Sequence, residues 1–340
     1  MLHIKSRPDR NKDCGVYLKD GDFEYKAHHS WAKWPAEVKG KDVLGVGFDT
    51  EDNMYAATSH LDYPICIFTP DGKFVRAIGQ GLFDRPHSVF ITPSKTILVA
   101  DSGALLHAVR EIDMDGKLVR NFGNPYQPSD SGFDVDAFMN AKIRGEIPPS
   151  AQYSIGYEFV LQSKTIKRAA PPFNRPCNMV IAPNGEMYAA DGYGNAAVHK
   201  FSPDGTLVKT WGGPGTEVGQ FALSHYVWAD KYNRIWACDR ENSRAFAYDT
   251  AGNIIALLEG GFRRIATCWS DDKNLYFAGL GGDLSILDID SLEIVAQFGF
   301  DDLNLLRSHG LGGDSKGNLY LSSIAGLRPI GNLIKFERIR

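Results

Sequence analysis

The stretch Met179-Val180-Ile181-Ala182-Pro183-Asn184-Gly185-Glu186-Met187-Tyr188-Ala189-Ala190-Asp191 decides the fold, together with Val198-His199-Lys200-Phe201-Ser202-Pro203-Asp204-Gly205-Thr206-Leu207-Val208-Lys209-Thr210-Trp211-Gly212. Two short apolar runs flank Pro-Asn-Gly, and two more flank Ser-Pro-Asp-Gly. Asn-Gly and Asp-Gly between apolar runs mark tight hairpins, because such turns need positive φ. The stretch predicts four short antiparallel strands in series.

The same phrase recurs along the chain. Ser88 to Ile91 leads through Pro93-Ser94-Lys95 to Ile97-Leu98-Val99-Ala100-Asp101, and Tyr226-Val227-Trp228 leads through Asp230 to Asn233 into Ile235 to Asp239. Further copies run Val46 to Ser59, Ala266 to Gly279 and Gly310 to Ser323. Phe68-Thr69-Pro70-Asp71-Gly72, Asp115-Gly116 and Asp249 to Gly252 supply the second turns. The phrases open at Gly45, His87, Cys177, His225, Ile265 and His309. Most neighbours lie about 40–48 residues apart, the spacing of β-propeller blades. The wide gap after His87 holds one blade and an insertion, Asn124 to Asn174. The reading is all-β: a six-bladed β-propeller of 340 residues in a single domain. Val16-Tyr17-Leu18 and Leu333-Ile334-Lys335-Phe336 are expected to share the closing blade. Within the insertion, Val135 to Ile143 has helical apolar spacing; the segment reads either as a surface excursion or as a lid over the channel.

Composition narrows the functional classes. Lys and Arg number 37 against 41 Asp and Glu, a net charge of −4, and no basic run tracks phosphates. Nucleic acid is not an expected partner. No apolar stretch approaches the ~20 residues of a membrane span, and Met1 to Pro8 has no signal-peptide core. Five cysteines without a C-x-x-C pair suggest reduced thiols and a cytoplasmic chain.

His87, His225 and His309 occupy one position in alternate blades, each fourteen residues before Asp101, Asp239 or Ser323. Six-fold geometry sets them about 120° apart on the channel rim. With nine histidines in the chain, composition would place about 0.16 in six specified positions. Three imidazoles with an open fourth position suit catalytic zinc, with iron, manganese or cobalt as alternatives. On the same rim, Tyr193 follows Asp191-Gly192 and Arg240 follows Asp239. A phenol beside a metal can serve as general base, and a guanidinium can grip a carboxylate or carbonyl. His60, in the corresponding loop of the first blade, is a further catalytic candidate or a surface histidine. Asp191 and Asp239 read as turn formers.

Asp191-Gly192-Tyr193-Gly194-Asn195, Phe201 to Gly205, Trp211-Gly212, Gly219-Gln220-Phe221, Ser224-His225 and Ala237 to Asn242 resemble the NHL-repeat propeller of peptidyl-α-hydroxyglycine α-amidating lyase. The resemblance implies a six-bladed propeller that cleaves the N–Cα bond of a peptidyl-α-hydroxyglycine, giving an amide and glyoxylate. It implies zinc held by His87, His225 and His309, with Tyr193 as base and Arg240 lining the site. Three positions depart from the pattern. Ser59, next to His60, stands where the family has a substrate-contacting arginine. Gly310 replaces an aspartate that helps bind calcium, so calcium is not expected. Gly194 and Asn174 replace a disulfide-bonded region. These departures suggest a retained metal scaffold with an altered substrate.

The expected function is a metal-dependent lyase acting on a C–N or C–O bond of a small-molecule or peptide-like substrate. The same open metal position would serve a hydrolase of amides, esters or lactones. A non-catalytic NHL interaction propeller is the third reading.

Overall fold

The computed structural model describes residues 1–7, 17–299, 305–328 and 332–339, without the side chains of residues 155 and 156. Its strands form six sheets, antiparallel but for one edge strand, each running outward from an inner strand. The first four sheets are Val43–Phe48, Met54–Thr58, Ile65–Phe68, Phe74–Ile78; then Phe90–Ile91, Thr96–Ala100, Val109–Asp113, Leu118–Phe122; then Pro176–Ile181, Met187–Asp191, Ala197–Phe201, Leu207–Gly212; then Ser224–Ala229, Ile235–Asp239, Arg244–Tyr248, Ile254–Glu259. The fifth is Ile265–Ser270, Asn274–Gly279, Leu284–Asp288, Ile294–Phe298. The sixth starts with Gly310–Gly313 and Leu319–Ser322, and its next strand, Leu333–Arg338, pairs with Phe23–His28. The chain is a six-bladed β-propeller, as the repeat predicts.

Ring closure joins the two ends of the chain. Phe336 stands opposite Ala27 and Lys335 opposite His28. Tyr17–Asp20 forms the outermost strand of that blade; Val16 of the expected segment lies outside the described residues. Two strands were not anticipated: Phe23–His28, which lies between the two segments expected to share the closing blade, and a strand at the start of the chain. Leu2–Lys5 pairs in parallel with Ile254–Glu259 and widens the fourth blade to five strands.

Turn chemistry explains the repeat. Asp314 accepts from the backbone N–H groups of Lys316 and Asn318, while its other oxygen accepts from the Tyr320 hydroxyl at 2.9 Å. Asp49 and Asp271 make the same turn and receive Tyr55 and Tyr276. At the Asp-Gly turn, Gly205 adopts φ 93°, where a side chain would be strained.

The apolar core lies between neighbouring blades. Tyr276, Leu284 and Ile286 of the fifth blade pack against Tyr25, Leu321, Ile334 and Phe336 of the sixth. The insertion departs after the second blade and carries helix α1 (Ala137–Ile143) and helix α2 (Ile155–Ser163). Phe138, Ala141, Ile147 and Ala151 form its own small core. Only α1 was expected.

Closure through Phe336 predicts a strong local dependence. Phe336→Ala, at a fully buried position, should cost about 3–5 kcal/mol of unfolding free energy in a denaturant titration. Tyr17→Ala, half exposed on the edge, should cost about 0.5 kcal/mol or less.

Candidate metal centre

Four of the six inner strands start with an irregularity that re-aims one side chain. The ladder skips a residue between Val43 and Gly45, Pro176 and Asn178, Ser224 and Tyr226, and Ile265 and Thr267. The skipped residues are Leu44, Cys177, His225 and Ala266. A bulge of this kind turns the extra residue away from the ladder. The counterparts of the histidines in the first and fifth blades are therefore Leu44 and Ala266, one residue from the expected Gly45 and Ile265. Periodicity cannot register a single inserted residue.

The bulge carbonyls lock the imidazoles. His87 Nδ1 lies 2.7 Å from the Cys177 carbonyl oxygen, His225 Nδ1 lies 2.5 Å from that of Ala266, and His309 Nδ1 lies 2.8 Å from that of Leu44. A carbonyl only accepts, so each Nδ1 carries the proton and each Nε2 presents a lone pair. All three rings are buried. Burial holds His87 and His225 well below the ordinary histidine pKa and pushes His309 down to about 3, with Arg240 adding to the effect on His225 and His309. The trio is neutral at pH 7.

Tyr193 stands over the three rings. Its Oη lies 3.3 Å from His87 Nε2, 3.2 Å from His225 Nε2 and 3.3 Å from His309 Nε2, and the last two nitrogens are 3.3 Å apart. One hydroxyl proton can serve one of these acceptors, so lone pairs face one another without a donor. The three Nε2 atoms lie within 4.8 Å of one another, close enough for three Zn–N bonds of the usual ~2.0–2.1 Å. The donor set therefore fits a small divalent cation. These three histidines form the metal-capable cluster found among the described residues.

Arg240 completes the rim. Its Nη1 donates to Tyr193 Oη at 3.1 Å, and its Nε donates to Glu241 at 2.8 Å. Burial raises the Glu241 carboxyl, but Arg240 and Arg264 outweigh it and keep the group below its ordinary value. Burial also raises the Tyr193 phenol against the pull of Arg240.

Five of the six expected site residues thus meet. His60 stays within its own loop: its Nδ1 accepts from Asp62 N–H, and its ring packs on Tyr63 at 5.2 Å. Asp191 and Asp239 bind backbone N–H groups and neighbouring side chains, as turn formers should. Sequence reasoning missed Phe159, on α2, whose ring meets Tyr193 edge-on at 5.8 Å and lies 5.6 Å from the Arg240 guanidinium. It also missed Arg175, 6.0 Å from the Tyr193 ring centre. Neither belongs to the repeated phrase; the insertion's length was the one available signal. At the lost disulfide position, a Cβ on Gly194 would strike Asn174, whose carbonyl accepts from Gly194 N–H at 3.0 Å. Cys66, Cys177, Cys238 and Cys268 are free and buried, while Cys14 lies outside the described residues. Among the described residues, no helix is long and apolar enough to cross a membrane.

No protein-family model matches the chain. It is 28% identical over 204 residues to NHL repeat-containing protein 3 of Mus musculus, covering 58% of this chain and 48% of that protein. It is 24% identical over 184 residues to a probable peptidyl-alpha-hydroxyglycine alpha-amidating lyase of Caenorhabditis elegans, covering 53% and 41%. For peptidyl-alpha-hydroxyglycine alpha-amidating lyase 1 of Drosophila melanogaster the identity is 23% over 185 residues, covering 51% and 27%. The matched span is less than half of each relative. Among solved structures, a streptogramin B lyase superposes with a TM-score of 0.57 at 10% identity, covering 92% of this chain and 98% of that one. A catalytically inactive virginiamycin B lyase from Staphylococcus aureus, solved with quinupristin, gives 0.55 at 13%, covering 88% and 82%. These two likenesses concern fold alone. The chain is a six-bladed β-propeller similar over part of its length to NHL repeat-containing protein 3. It resembles the peptidyl-alpha-hydroxyglycine alpha-amidating lyases.

The converging lone pairs predict one divalent metal per chain, measured by elemental analysis of purified protein. Zinc at a hundred times its Kd should raise the unfolding free energy by about 2.7 kcal/mol. His225→Ala should abolish both signals; unchanged metal content in that variant would overturn the assignment.

Proposed function

We propose that this chain is a metal-dependent lyase, with zinc as the favoured ion, cleaving a C–N or C–O bond of a small hydroxylated, amide-like substrate. The observation that carries the reading is the position of Tyr193 Oη, within 3.3 Å of all three Nε2 atoms and 3.1 Å from Arg240. The lyase-named relatives support the reaction class.

His87, His225 and His309 would hold the ion through Nε2. Zinc, when bound, would polarise a substrate oxygen. Arg240 favours the phenolate form of Tyr193, and a second cation beside Oη would add to that pull. In that form Tyr193 accepts the proton of the substrate hydroxyl. The O–H electrons become the carbonyl π bond, the C–N bond breaks, and its electron pair leaves with nitrogen. Tyr193 then returns a proton to the departing nitrogen. Glu241 keeps Arg240 aimed at Oη through the 2.8 Å bond to Nε.

Metal-loaded protein should release glyoxylate from an N-acyl-α-hydroxyglycine and lose that activity with chelator. Tyr193→Phe should lower kcat by about 10²–10⁴-fold with metal content unchanged. Full turnover in Tyr193→Phe would remove the base assignment. Hydrolysis of simple esters or lactones without glyoxylate release would replace lyase by hydrolase chemistry.

A further inference from the structure

Two arginines flank Tyr193, and the insertion backs each with a phenylalanine. The Arg240 guanidinium carbon lies 5.6 Å from the ring centres of both Tyr193 and Phe159. That of Arg175 lies 6.0 Å from Tyr193 and 5.8 Å from Phe133. Both phenylalanines belong to the 124–174 insertion. The two arginines differ in what neutralises them. Arg240 is paired with Glu241. Arg175 has no carboxylate within ion-pair distance among the described residues; its Nε donates to the Ser102 carbonyl at 2.9 Å. Asp84 is near enough to favour its charge but accepts from Leu105 N–H instead. Arg85 adds a further positive charge nearby.

The backbone is adapted to this placement. Arg175 adopts φ 65°, rare for a residue with a side chain. The flanking contacts hold it there: Asn174 N–H donates to Asp191 at 2.8 Å, and Pro176 begins the inner strand. A half-buried guanidinium beside two rings, with no carboxylate partner among the described residues, is placed to receive an anion.

We infer that Arg175 is the specificity-determining residue that receives an acidic group of the substrate, and that the insertion sets its position through Phe133. This rests on the reading of the histidine trio and Tyr193 as a reaction centre. It adds that a carboxylate of the substrate is gripped beside Tyr193 by a guanidinium other than that of Arg240. The planar fork of arginine suits two parallel N–H···O bonds to such a group.

The test uses the intact metal-loaded protein and a matched, unreactive probe pair, N-acetylglycine and N-acetylglycinamide, by calorimetry. The wild-type chain should bind the acid at least 10-fold more tightly than the amide. Arg175→Gln should erase that preference at unchanged metal content and near-ultraviolet circular dichroism, and Arg175→Lys should retain part of it. Phe133→Leu should reduce the preference without affecting metal content. No preference in the wild type, or full preference in Arg175→Gln, would overturn the inference; the second outcome would assign carboxylate binding to the metal itself. Because the readout is binding without turnover, a preference that persists alongside absent lyase activity would fault the proposed reaction and spare the role of Arg175.

Discussion

Three hydrogen bonds between blades carry the architecture of the site. Each imidazole leaves an even-numbered blade and gives its Nδ1 proton to a carbonyl of the blade that follows: Cys177, Ala266 or Leu44. The bonds fix ring orientation and tautomer together. They also require the strand irregularities, since a regular ladder would engage those carbonyls along the sheet. The contact that closes neighbouring blades around the axis is thus the contact that leaves three Nε2 lone pairs facing inward. A change in blade packing would alter both.

The aspartates at the ends of the second strands support this arrangement from below. Asp101 accepts from the N–H groups of Asp84, Arg85 and Gly103. Asp239 accepts from those of Ala222 and Leu223 and from Asn242 and Arg244. Asp191 binds Asn174 N–H and the Asn195 amide. Each carboxylate ties the loop preceding an inner strand to the loop after the second strand. In the third and fourth blades the latter loop carries Tyr193 or Arg240. Burial pushes the Asp101 and Asp239 carboxyls upward, partly offset by these donors. Asp191 and Asp239 position Tyr193 and Arg240 without touching the histidine cluster.

The repeat made much of this legible. Turn signals located the blades, and a shared offset singled out His87, His225 and His309 before any geometry was known. Tyr193 and Arg240 followed from their place after a strand-ending aspartate. What escaped notice has no period. A bulge adds one residue and displaces Gly45 and Ile265 from the histidine-equivalent position. Leu2–Lys5 is too short to announce its parallel pairing. Phe133, Phe159 and Arg175 reach Tyr193 through tertiary contact, and no offset rule covers an insertion. His60 occupies an equivalent loop, yet its ring turns to Tyr63; equivalence in the repeat fixes a backbone position and leaves the side chain's direction to local packing.

The site accordingly has two layers of different origin. The histidines stand on inner strands, and Tyr193 and Arg240 stand on short loops held by buried carboxylates. Those supports are strands and buried hydrogen bonds, the rigid placement that reactive groups need. Phe133 and Phe159 come from a segment with its own small core. Ile166 and Phe173 join the cores of the blades, and hydrogen bonds tie Ser131 to the Gly194 carbonyl and Ala170 to Asn195. Both partners lie in the loop that carries Tyr193. The part of the segment around its own core can vary in length and lining more readily than the strands, because loops tolerate substitution that sheets do not. Reaction type would then be set by the blades, and substrate choice by what the insertion lays over Tyr193.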